Sequence, residues 1–174
     1  MGTGALRKFL DTLYAATAAV GGLFMVALLV AVLMSIVGRQ IGFNVPGVDA
    51  YAGYMMAGAG FLALAHTLKK GEHIRVTLVL TALHGRMRRA LEIWALFAAT
   101  LLAFLFAGYG CRLAWQSYTL HDVSTSSDAT PLWLPQLTFA VGAVVLAIAF
   151  IDELVLELRG QRVVQTPEEA MRNE

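Results

Sequence analysis

Four histidines, His66, His73, His84 and His121, are the residues in this 174-residue chain best suited to hold a metal or a haem, because imidazole is a common ligand for both. Such a site needs ligands that converge. Three of the four cluster in a basic stretch between two apolar runs, His121 follows the next apolar run, and none falls in the middle of a run. Asp122 and Asp128 flank the hydroxyl-rich stretch Ser124-Thr125-Ser126-Ser127, but no third partner completes a nucleophile, base and orienting group; the composition reads as a solvated turn. Cys111 stands alone, which excludes an intrachain disulfide, a thiolate metal site and a CxxC redox motif. No GxSxG, HExxH, Walker A or dinucleotide fingerprint occurs; Gly58-Ala59-Gly60 lacks the strand-to-helix context of a nucleotide turn. The chain is therefore expected to be no enzyme, with no cofactor and no metal.

The remaining polar chemistry is a basic island. Six of the thirteen Lys and Arg residues, Lys69, Lys70, Arg75, Arg86, Arg88 and Arg89, fall within 69–89 together with His73, and this bias fixes orientation rather than catalysis. The chain is 58% hydrophobic and 14% charged, far from a soluble composition, and its net charge of +1 gives no reason to expect nucleic acid as a partner. Spanning a hydrocarbon core of about 30 Å takes about 20 apolar residues at about 1.5 Å each. Four segments meet that requirement, at 13–37, 48–68, 93–113 and 132–152. The first is too long for a signal-peptide h-region and reads as a retained anchor. Met1-Gly2 does not open a myristoylation signal, because Leu6 stands where Ser or Thr is required.

The fold class expected is all-α, a single integral membrane domain of four helices with a short interfacial helix between the second and third spans. Arg7 and Lys8 precede the first span, the island joins the second to the third, and Arg159 and Arg162 follow the fourth, so the positive-inside rule places both termini and the middle loop in the cytoplasm. The tail 159–174 would be cytoplasmic. Over 74–91, Thr77, Thr81, His84, Arg88 and, just beyond, Glu92 recur at helical spacing beside Leu and Val, which predicts an amphipathic helix lying in the interface. Membrane lipid is then one partner, and Lys69, Lys70, His73, Arg75, Arg86, Arg88 and Arg89 form a candidate cytoplasmic interface.

Charges next to spans need partners. Arg39 and Asp49 bracket the first outer loop and are a candidate ion pair; Glu92, Asp152 and Glu153 are placed to meet the island; Arg112 near the outer end of span three reads as snorkelling. The second span is rich in small residues, among which Gly53, Ala57, Gly58 and Gly60 are candidates for close helix packing, inside the subunit or against a partner. The spans show no midplane carboxylate and no interrupted helix of the kind a self-sufficient ion-coupled transporter uses. That pattern suits a supporting subunit. A competing reading is a tetraspan anchor of a haem- or quinone-linked redox enzyme, against which the boundary positions of the histidines weigh.

Gly38-Arg39, Val45-Pro46-Gly47-Val48-Asp49, Gly58 through Phe61, His66, Gly71-Glu72-His73-Ile74-Arg75-Val76 and Pro131-Leu132-Trp133-Leu134-Pro135 lie in an order and spacing that resemble the small, DctQ-like membrane subunit of tripartite ATP-independent periplasmic (TRAP) transporters, over nearly all of the chain. The chain departs at Thr77, where the family often has an acid, and at Asp49, where it often has Glu. The resemblance implies a bacterial or archaeal inner-membrane protein paired with a large DctM-like membrane subunit, which carries the substrate and sodium sites and moves as an elevator. It also implies a periplasmic substrate-binding protein that delivers an organic acid. In that setting this chain is expected to be scaffold.

Overall fold

Long apolar runs without internal charge leave the backbone one way to satisfy its polar groups in lipid, the α-helix, and the chain folds accordingly. The computed structural model describes residues 3–43, 46–71 and 85–160. Four helices occur among them: α1 (Thr3–Ile41), α2 (Val48–Lys70), α3 (Arg86–Leu120) and α4 (Trp133–Leu158), each long and apolar enough to cross a membrane. No named strand is present among the described residues; an isolated bridge joins Val123 to Pro131.

Helix ends follow local chemistry. α2 starts after Gly47 at φ 84 and stops at Gly71, whose φ of 75 lets its N–H turn back onto the carbonyls of Thr67 and Leu68. Pro135 sits in the first turn of α4, where a missing N–H costs no intrahelical bond. α1 and α3 extend past their apolar runs, because Arg7 with Asp11 and Arg88 with Glu92 form i,i+4 pairs that suit a helix outside the hydrocarbon. Residues 86–91, expected in a separate interfacial helix, are instead the opening turns of α3. The rest of that expected helix, 74–84, lies outside the described residues.

The helices stand in a row rather than a square. α1 packs on α2, α2 on α4 and α4 on α3, with only a slight touch between α1 and α4. Glycines and alanines set the spacing. A Cβ on Gly21 would meet the Ala59 carbonyl oxygen at 3.2 Å, and one on Gly142 would meet the backbone of Phe61 at 2.7 Å. The α3–α4 seam is built on Ala103, Ala107, Ala143 and Ala147, extended outward by Gly110, whose Cβ would fall 2.8 Å from the Phe139 ring. Phe61, Phe106 and Phe139 meet where α2, α3 and α4 converge, with ring centroids 4.5 to 5.8 Å apart. Tyr14, Ala65, Leu68, Val145 and Ala149 form a second core toward the other end, joining α1, α2 and α4.

Candidate functional site

The row has two polar ends and an apolar middle. No Asp, Glu, Lys or Arg occurs in 12–38, 50–68, 93–111 or 133–151. At one end, here called the inner end, lie the start of α1, the end of α2, the start of α3 and the end of α4.

The most connected polar group is there. Lys69 Nζ donates to Asp152 Oδ2 at 2.6 Å and to Glu153 Oε1 at 2.7 Å. Arg7 Nη1 reaches the same Asp152 oxygen at 3.2 Å while its Nε pairs with Asp11 at 3.3 Å. Lys69, Asp152 and Glu153 keep only 10, 15 and 9% of their side-chain surface exposed, so these charges attract in a less screened medium than water. α2 and α4 run parallel, bringing both C-terminal carbonyl ends to this point, where a cation is favoured by their dipoles. Lys69 also lies 6.0 Å from the centre of the buried Tyr14 ring. The group ties α1, α2 and α4 together and makes a brace.

Arg88 Nε donates to Glu92 at 3.2 Å, and Arg89 Nη2 donates to the Leu158 carbonyl at 3.3 Å, closing the end of α4 onto α3. Lys70 and Arg86 are exposed. His73 and Arg75 lie outside the described residues. The acids anticipated as partners of the basic island therefore do meet part of it, through Lys69 and Arg88.

At the outer end the segment between α3 and α4 is ordered by tertiary bonds. Ser124 Oγ donates to Asp128 Oδ1 at 2.7 Å, and Tyr54 of α2 donates its hydroxyl to Oδ2 at 3.2 Å. Thr130, with Ser124 and Tyr54, holds the Asp128 carboxyl below the usual carboxylate range. Gly47 packs so closely on Asp128 that a Cβ would lie 2.8 Å from its Cβ. The hydroxyl-rich turn is thus pinned to α2, which the sequence alone concealed because Tyr54 and Asp128 are 74 residues apart. No ion pair joins Arg39 to Asp49 among the described residues; Asp49, in the first turn of α2, accepts a 3.1 Å bond from Ser35 Oγ, and Arg39 remains exposed one turn farther along α1.

The four small residues of α2 divide by face. Gly58 is buried against the Phe24 ring, 3.0 Å from where its Cβ would be, so it serves α1 packing. Gly53 and Gly60 have open space around them, and with Ala57, Met56 and Leu64 they line a shallow apolar groove. The seam that sequence reasoning missed, Ala103 and Ala107 on α3 with Ala143 and Ala147 on α4, shows in the sequence only as two four-residue spacings of alanine within apolar runs. His66 is half-buried at the inner end and His121 closes α3 at the outer end with φ 56, so these two are on opposite sides of the row.

The family model for the DctQ component of tripartite ATP-independent periplasmic transporters matches residues 28–160, from the middle of α1 to just past α4. No curated protein matches the chain.

Proposed function

The chain belongs to the family of DctQ components of tripartite ATP-independent periplasmic transporters, and we propose that it is the scaffold subunit of a sodium-coupled uptake system for organic acids. As a family member it is the small, multi-pass membrane subunit of a transporter and not an enzyme. Its partners in this reading are a large DctM-like membrane subunit, which moves cargo as an elevator, and a periplasmic substrate-binding protein. The membrane is the bacterial or archaeal inner membrane, with the inner end, and so both termini, in the cytoplasm.

One observation carries the scaffold role: the helices form a single row whose apolar surface is largely uncovered. Only 11% of the most apolar stretch of α1 and 22% of that of α3 is buried within the subunit. In lipid such faces are free to pack on further helices, and the open groove of Gly53, Ala57 and Gly60 lets a partner backbone approach closely. Unbroken helices and charges confined to their ends support a static frame over an ion or cargo path. The interhelical brace of Lys69, Asp152, Glu153 and Arg7 stiffens that frame at its inner end.

Co-expression with the large membrane subunit tests the reading. A stable complex should be recovered in mild detergent, and Gly60→Leu should weaken it. A chain that stays monodisperse by itself in the presence of the large subunit would contradict the proposal.

A further inference from the structure

Between α3 and α4, at the inner end and on the far flank from α1, runs an open apolar groove lined by Ala90, Ile93, Trp94, Phe97, Leu154 and Leu158. On α3 the lining residues follow one helical face at spacings of three, one and three, and Arg86 continues that face four residues before Ala90. Arg89 sits at the mouth, its Nη2 3.3 Å from the Leu158 carbonyl and 3.9 Å from where a Gly160 Cβ would stand. Arg159 lies between those two residues in sequence. Arg86 and Arg159 are exposed, and their side chains make no hydrogen bond or ion pair with the described residues.

The tryptophans fix the depth of this groove. Trp94 and Trp115 are 66 and 68% exposed on α3, as interfacial anchors are. Their 21-residue separation corresponds to about 31 Å of helix, against a hydrocarbon core of about 30 Å. With Trp94 at the inner boundary, Phe97 carries the groove into the acyl region, while Ile93 and Ala90 line its stretch at headgroup depth. Arg89, five residues toward the inner end, then lies about 7.5 Å outside the boundary, at the outer edge of a headgroup layer about 5–7.5 Å thick. Arg86 lies one turn farther out, and its long side chain can reach back.

Among the described residues the side chains of Arg86 and Arg159 meet no acid, and Arg89 meets only a carbonyl. Asp152 and Glu153 hold Lys69, and Glu92 holds Arg88. The geometry points to a site for one anionic phospholipid of the inner-end leaflet, with an acyl chain in the groove and its phosphate at Arg86, Arg89 and Arg159. An open apolar groove with Arg89 at its mouth, Arg86 three residues from Arg89 and Arg159 next to Leu158 along the chain, matches that molecule in both parts, whereas an apolar partner helix would bring the arginines no counter-charge. The site does not depend on the transport reading, since it uses only this chain and the bilayer.

The test places the photoreactive residue p-benzoylphenylalanine at Phe97 in the full chain, in its own cell membrane, and identifies lipid adducts of the α3 peptide by mass spectrometry. Each basic side chain near the surface raises the local concentration of an anionic lipid by about fivefold. Adducts should therefore be enriched in anionic lipid by about fivefold or more over its share of the membrane. Arg86→Ala/Arg159→Ala should bring the enrichment down by at least about fivefold, and Arg86→Lys/Arg159→Lys should retain most of it, separating charge from folding. Ala90→Trp, which fills the groove and leaves the arginines in place, should abolish the adduct. Adducts in bulk proportion, crosslinks to protein instead of lipid, or enrichment that survives the double alanine change would each overturn the assignment.

Discussion

Replacing Lys69 by Met should be among the most damaging single changes at the polar ends. The Nζ lies 2.6 Å from Asp152 and 2.7 Å from Glu153, and all three side chains are at least 85% covered. Removing one partner from a buried ion pair costs about 3–5 kcal/mol, mostly because the charge left behind loses both water and partner. Arg7 still compensates Asp152 at 3.2 Å, but it is 44% exposed and correspondingly screened, so the loss falls near the lower bound, about 3 kcal/mol. For a chain of this length that corresponds to a melting temperature lower by about 6–12 °C. Thermal unfolding in mild detergent, followed by tryptophan fluorescence, reads it directly. The triple change Lys69→Met/Asp152→Leu/Glu153→Met should recover most of the loss, since a well-packed apolar replacement of a buried ion pair is close to neutral. A single variant melting within about 1 °C of the parent would refute the brace, as would a triple variant no better than the single one.

Three further outcomes are expected. Gly142→Ala forces a methyl to within 2.7 Å of the Phe61 backbone and should destabilise the subunit by about 1–3 kcal/mol in the same unfolding assay, whereas Gly60→Leu, with nothing within 4 Å, should leave subunit stability intact and act only on assembly, read by co-purification. Asp128 has a carboxyl pKa lowered in the folded state from its ordinary 3.8, so its contribution is fully present above that value and is lost as pH falls through the lower folded value; Asp128→Asn should remove that acid-dependent step in hydrogen exchange of the loop amides, and an unchanged step would contradict it. Asp49→Asn keeps an acceptor for Ser35 and should cost less than about 1 kcal/mol, while reversing Arg39 and Asp49 together should give no rescue; recovery of assembly in the double reversal would show that the two do pair.

The membrane helices were legible because charge is so unevenly spread: 12–38 and 93–111 contain no ionisable Asp, Glu, Lys or Arg, and no soluble fold needs such runs. Helix ends were less legible. Hydropathy reports only the part in hydrocarbon, and the pairs Arg7–Asp11 and Arg88–Glu92 carry α1 and α3 beyond it. The arrangement in a row was not readable, because Ala103, Ala107, Ala143 and Ala147 register simply as apolar residues until the two helices are brought together. Of the inner site, the sign pattern was visible, acids and bases being on one side, while the particular bonds of Lys69 depend on the parallel course of α2 and α4. Asp128 needed Tyr54 from a distant helix to become more than a turn residue. Arg39 and Asp49 looked paired by proximity in sequence, yet Ser35 on the facing turn of α1 holds the carboxylate.

The central claim, that this chain frames a large transport subunit, is tested most directly by uptake in proteoliposomes holding the large subunit with and without it. With the binding protein and its organic acid outside, sodium-driven uptake should require this chain and should fail in its absence, while the large subunit alone should melt at a lower temperature than the pair. Equal uptake and equal stability with and without the chain would contradict the account.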